Sequence, residues 1–218
     1  MNKSSGYVVS QDYLYLRYRI VSYAAIVTMD KTEIFYPISQ ADWRKWLEEN
    51  HHSQQSVWLV FYSKSSENAS ITWSEAVDVA LCFGWIDSKK IKIDKETSHQ
   101  FFSKRKAQGT WSKINKEKIQ QLIDRGLMTQ AGLDVIEIAK QNGSWTILDE
   151  VEELIIPEDL EKAFRKYKGS KDYFLSLSKS VKKMMLQWIV LAKRPETRDK
   201  RIAEIAELTG EKKKPKQF

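Results

Sequence analysis

Seven residues between positions 85 and 115 supply the side chains that a ligand pocket needs. Trp85, Phe101 and Trp111 offer aromatic faces, Asp87 and Arg105 carry opposite charges, and Ser112 and Asn115 stand where a helix would begin. Residues two apart on a strand share a face, so Trp85 and Asp87 project together. A carboxylate beside a guanidinium can form a bidentate, charge-assisted pair, and the amides at a helix start attract anions. The set predicts a pocket for a small anionic or planar ligand, in which tryptophans stack while Arg105 and the helix start hold charge. The plainer alternative is a hairpin tied to its following helix by one ion pair and a serine cap.

The motifs of common reaction classes are missing. The chain has no G-x-G-x-x-G, no G-x-x-x-x-G-K-[ST] and no G-x-S-x-G, which removes local support for dinucleotide, P-loop and α/β-hydrolase chemistry. His51, His52 and His99 lack metal-ligand spacing, so no metal site is expected. Cys82 is the single cysteine, which excludes an internal disulfide and points to a reducing compartment. It falls in a last helical turn between Leu81 and Phe83, where a buried, inert thiol is expected, because reactive thiols favour helix starts and electropositive surroundings. With no nucleophile, base or cofactor to name, the residues read as a binding protein rather than an enzyme.

Charge supplies a second reading. The net charge is +7, and residues 89–125 hold 11 Lys/Arg against 4 Asp/Glu while residues 193–218 hold 9 against 5. Lys89, Lys90, Lys92, Lys104, Arg105, Lys106 and Lys113, interleaved with Phe101, Phe102 and Trp111, have the composition of a groove that tracks a nucleic-acid backbone and stacks its bases. The partner is thus a small anionic ligand or a protein, with nucleic acid as the alternative. The oligomeric state is open.

Several elements must position these residues. Residues 32–36 read as a short strand stopped by Pro37. Ser39 and Asp42 resemble a capping box opening a helix with Trp43, Trp46 and Leu47 on one face. VWLVFYS (57–63) is a strand by its β-branched and aromatic content. After a polar loop, Thr72 and Glu75 form a T-x-x-E box, and Trp73, Ala76, Val77, Ala80 and Leu81 make an apolar helical stripe. Gly84 closes that helix, and 85–94 is predicted to pair with 99–104 across a turn near Lys95-Glu96.

The rest is helical. Ser112 caps a helix running to Arg125 and Thr129 another through Gln141. Pro157 starts a third, burying Leu160, Ala163, Phe164 and Tyr167. Ser178 starts a fourth with Val181, Met184, Met185, Trp188, Ile189 and Ala192 as its stripe, and a last helix spans 196–209. The fold class is α+β, a small antiparallel-containing sheet with two helices followed by a helical C-terminal half. The expected organisation is an α+β unit at 29–110, a helical region packed on it at 111–210 and a basic tail at 211–218. Residues 1–28 carry five tyrosines, few charges and no clean period. They are expected to be a disordered or non-native extension ahead of a natural start at Met29. No run approaches the roughly twenty apolar residues a membrane span needs.

FYPISQADWRKWLEENH, VWLVFY, ALCFGWIDS, FFSKRKAQGTWSKIN, RGLMTQAG and AKRPETRDKRI, in that order from about Phe35 to Gly210, together resemble the YdeI/OmpD-associated family, also called bacteriocin-protection proteins. Members often read R-F-T-P-R where this chain has Phe101 to Arg105, so Arg105 matches and the Thr-Pro does not. The resemblance implies a role in resistance to bacteriocins or antimicrobial peptides, or in stress, and no established reaction. It also implies a periplasmic location as the alternative to the cytoplasm, which the lack of an export signal favours.

Overall fold

The computed structural model describes residues 32–218, so the expectations for residues 1–28 lie outside it. The fold is α+β, with a four-stranded mixed sheet and nine helices among the described residues. It divides into two compact units, one of residues 32–80 and 86–104, the other of residues 81–85 and 105–218.

The first unit is built on the sheet, in the order β1-β2-β4-β3. Strand β1 (Ile34–Phe35) runs parallel to β2 (Ser56–Tyr62), and β2 runs antiparallel to β4 (Thr97–Lys104) with Trp58 opposite Phe101 and Leu59 opposite Gln100. Strand β3 (Trp85–Lys92) joins β4 in a hairpin, and Asp94 Oδ1 accepts the Glu96 and Thr97 amides to close the turn. Helix α1 (Gln40–Asn50) links the parallel pair. Ser39 caps it as expected, accepting the Asp42 amide at 3.2 Å.

The buried face of α1 is the predicted one, Trp43, Trp46 and Leu47. Trp43 meets Phe102 edge-on at 5.6 Å and donates its Nε1 to the Ala76 carbonyl at 3.0 Å. A buried indole N–H needs such an acceptor, because leaving it unmet would cost more than the bond gains. Helix α2 (Trp73–Cys82) opens on a full capping box: Thr72 N donates to Glu75 Oε2 at 2.7 Å, and Glu75 N to Thr72 Oγ1 at 3.2 Å. The amide of Thr72 thereby holds the Glu75 carboxyl below its ordinary range.

The second unit is helical: α3 (Lys113–Asp124), α4 (Gln130–Gln141), α5 (Asp149–Glu152), α6 (Glu158–Phe164), α7 (Ser170–Ser176), α8 (Lys179–Val190) and α9 (Pro195–Gly210). Ser112, Thr129 and Ser178 cap α3, α4 and α8 as predicted. The core gathers Leu160, Phe164, Phe174, Leu186, Ile189 and Ile205. The segment 81–85 belongs here because Cys82 O accepts both the Thr129 hydroxyl at 2.6 Å and its amide at 3.1 Å. Gly132 makes that approach possible, since a Cβ there would lie 2.3 Å from the Cys82 oxygen. Gly84 stands at φ +71°, the left-handed conformation expected after a helix end.

Three apolar assignments need correction. Trp73 is 51% exposed rather than part of the buried stripe of α2, because it sits in the first turn beyond the sheet's cover. On α8 the buried residues are Met185, Leu186 and Ile189, with Met184 exposed. The helix is rotated so that its core line lies about one residue further on. Tyr167 is exposed because α6 ends at Phe164 and the chain turns at Gly169, φ +76°.

Candidate functional site

A cleft of about 630 Å³ opens in the first unit where β2, β4 and β3 meet the 63–72 loop. Phe61, Ser98 and Gln100 of the sheet line it together with Trp73 and with Lys64, Lys90, Lys92 and Lys95, and among the described residues its acidic lining is Asp94 and Glu96. The loop is tied down along its length. Ser63 N donates to Glu96 O at 2.7 Å, Ser66 Oγ to Glu96 Oε2 at 3.2 Å, and Tyr62 N to Ser70 Oγ at 3.1 Å. The hydroxyl of Tyr36 donates to the Ala69 carbonyl. These bonds set the wall in place before any ligand arrives, which lowers the ordering cost of binding.

Trp73 is held as firmly. Its Nε1 donates to Asp87 Oδ2 at 2.8 Å, and Gln100 Nε2 donates to the same oxygen at 3.1 Å and to Ser88 O at 3.3 Å. Asp87 therefore fixes the indole to the sheet while half of the residue stays in water. Among the described residues, Lys64, Lys90, Lys92 and Lys95 enter no ion pair with Asp or Glu. Asp94 and Glu96 are engaged with the turn and the loop instead.

The expected site residues distribute as follows. Asp87 and Phe101 lie in the first unit, but on opposite faces of the sheet. Asp87 bonds Gln100, whereas Phe101, one residue on, packs edge-on against Trp58 at 5.0 Å with Lys89 above both rings. His99 shares the Phe101 face and is buried. Burial pushes its imidazole down to about 4, against a smaller opposing pull from Asp94.

Trp85, Arg105, Trp111, Ser112 and Asn115 lie in the second unit. Arg105 N donates to Gly84 O at 2.9 Å, Arg105 NH1 to Thr110 O at 3.0 Å, and its guanidinium lies 3.5 Å over the Trp111 ring. Trp111 also packs on Trp145 at 5.0 Å. Ser112 Oγ accepts the Asn115 amide at 3.3 Å. Arg105 and Trp111 thus form one contact, and Ser112 and Asn115 another at the start of α3. Trp85 and Trp111 are 0% and 2% exposed, so neither ring offers a face to a ligand as folded. Cys82 is likewise buried.

Sequence reasoning passed over Trp73 and the 63–72 loop. The available signal was the bulk of an indole in a first helical turn, directly after a serine-rich loop and its capping threonine.

No helix among the described residues is long and apolar enough to cross a membrane. No curated protein and no solved structure matches the chain. Residues 35–135 match a domain of unknown function, DUF8412, so the part of the chain holding the cleft, the hairpin and the Arg105 cluster aligns with a family described by no activity. Residues 153–212, spanning α6 to α9, match the family described as bacteriocin-protection, YdeI or OmpD-associated. The resemblance read across the chain is thereby shown for its C-terminal part, residues 153–212, which match the YdeI/OmpD-associated family.

Proposed function

We propose that this chain is a binding protein whose first-unit cleft takes a small anionic ligand. One observation carries the reading: four lysines without carboxylate partners line the cleft that also presents the half-exposed Trp73. Four lysines against the two carboxylates of Asp94 and Glu96 leave the lining with an excess of positive charge, which a bound anion offsets. In this reading Asp87 is a positioning residue, and the ring that meets the ligand is Trp73 rather than Trp85, Phe101 or Trp111. The match to a family described by bacteriocin protection supports a place in resistance or stress.

The test is a thermal-shift titration at low salt with phosphate, sulfate and citrate, since a ligand of the native state raises the melting temperature. The wild-type chain should shift, and the Lys90→Gln/Lys92→Gln chain should not. Absence of a shift with every anion overturns the proposal.

Lys89, Lys90 and Lys92, exposed along strand β3, favour nucleic acid as a second reading. Phe102 and Trp111 are buried, so such binding would rest on charge more than stacking. Its mark is an affinity that falls steeply with salt.

A further inference from the structure

We infer that the ligand of the first-unit cleft is a mononucleotide, with its base on Trp73 and its phosphoryl group among the lysines; this rests on the anion reading above and specifies it. The cleft brings together two chemically distinct kinds of group. The Trp73 indole is anchored through Nε1 to Asp87 and left 51% exposed. An anchored ring stacks on a planar partner without first giving up rotamer freedom, and stacking a base on an aromatic side chain contributes about 1–3 kcal/mol.

Sharing the cleft with it are Lys90, Lys92 and Lys95, with Lys64 on the loop. Asp87 bonds the indole to β3, and Lys90 and Lys92 follow on the same strand and line the same cleft. An indole face and several ammonium groups in one hollow suit a ligand that carries both a planar ring and a charged group. Lysine ammonium groups act as point charges for phosphate, which carries nearly two negative charges at neutral pH.

The lining also holds polar side chains from the sheet. Gln100 Nε2 is committed to Asp87 and Ser88, which turns that side chain's orientation into a fixed one, and Ser98 lies two residues before it on the same strand face. A carboxamide and a hydroxyl so placed match the hydroxyls of a ribose. An inorganic anion would leave Trp73 unused, and a neutral nucleoside would leave the lysines unused.

Isothermal calorimetry on the full chain with AMP, inorganic phosphate and adenosine separates the possibilities. AMP should bind at least tenfold more tightly than either phosphate or adenosine. Trp73→Leu should reduce AMP affinity to the phosphate level and leave phosphate unchanged, while Lys90→Gln/Lys92→Gln should abolish the AMP advantage over adenosine. Trp73→Phe keeps a ring while losing the Asp87 bond, so it should fall between wild type and Trp73→Leu and serves if the leucine variant fails to fold. Equal binding of AMP and phosphate, indifferent to Trp73, overturns the nucleotide inference and leaves the anion site standing. No binding of AMP or phosphate overturns both.

Discussion

The two units treat the same residue types in opposite ways. In the helical unit, several basic side chains are paired with carboxylates across elements: Lys116 with Asp149, Lys183 with Glu152 at 2.5 Å, Lys171 with Glu161 at 2.6 Å, and Arg198 with Asp159 through two bonds of 2.6 and 3.0 Å. Its tryptophans Trp85 and Trp111 are buried. In the sheet unit, the lysines of the cleft have no such partners, and Trp73 is held half in water. Charge that is already neutralised serves the fold, whereas charge left open in a shaped hollow is free to meet something else. The bonds that fix the surrounding loop and indole are what distinguish the hollow from an ordinary lysine-rich surface.

The largest expected effect lies in the helical unit. Gly132→Ala would drive a Cβ into the Cys82 carbonyl, a backbone group that cannot swing aside, and should cost about 3 kcal/mol in urea unfolding. A loss near that of Gly143→Ala, where a Cβ meets nothing within 4 Å and only the positive φ resists, would show that segment 81–85 is not clamped to α4.

In the sheet unit, Asp87→Ala removes the acceptor shared by Trp73 and Gln100 and should cost about 2 kcal/mol. It should also weaken anion binding although Asp87 bears the wrong charge to attract one. Unchanged binding would remove its positioning role.

The pH dependence should separate by residue. Unfolded histidine titrates near 6.5, and His99 stays neutral in the fold down to about 4. A lowered folded value means that its contribution is complete above pH 6.5 and is lost as pH falls towards 4, on the order of a hundredfold in the folding equilibrium. Arg198 holds the Asp159 carboxyl below its ordinary range, so that group's contribution is lost only at lower pH, below about 3.8. Urea midpoints between pH 6.5 and 4.5 should decline for wild type and stay flatter for His99→Gln. Parallel curves would assign the decline elsewhere.

The smallest effects test the contrast most directly. Lys183→Gln, which strands the largely buried Glu152, should lose about 1 kcal/mol. Lys90→Gln and Lys92→Gln should leave the melting temperature unchanged or slightly raised, since they remove unpaired like charges. Destabilisation by the cleft substitutions equal to that of Lys183→Gln would erase the difference between the units.

Much of the local structure was legible in the sequence because it depends on neighbours in the chain. Ser39, Thr72, Ser112, Thr129 and Ser178 all cap as read, each through a bond to the residue three positions on. Misreadings arose where a partner element decides. The stripe of α8 has Leu186 at its centre because of what surrounds that helix, and nothing inside the helix chooses between Met184 and Leu186. Helices α5 and α7, of 4 and 7 residues, are too short for a 3.6-residue period to show. The cleft was hidden for a third reason. It forms only when the 63–72 loop is bonded to Glu96 some thirty residues later, and no local pattern reports that meeting.

Cys82, the single cysteine of the 218-residue chain, is buried with 1% of its surface exposed. The folded protein therefore offers no native thiol to a maleimide dye, and a cysteine introduced at Asn68 on the rim of the cleft would be labelled alone. A fluorophore there could report occupancy of the hollow directly, without first clearing the background that most proteins of this size impose.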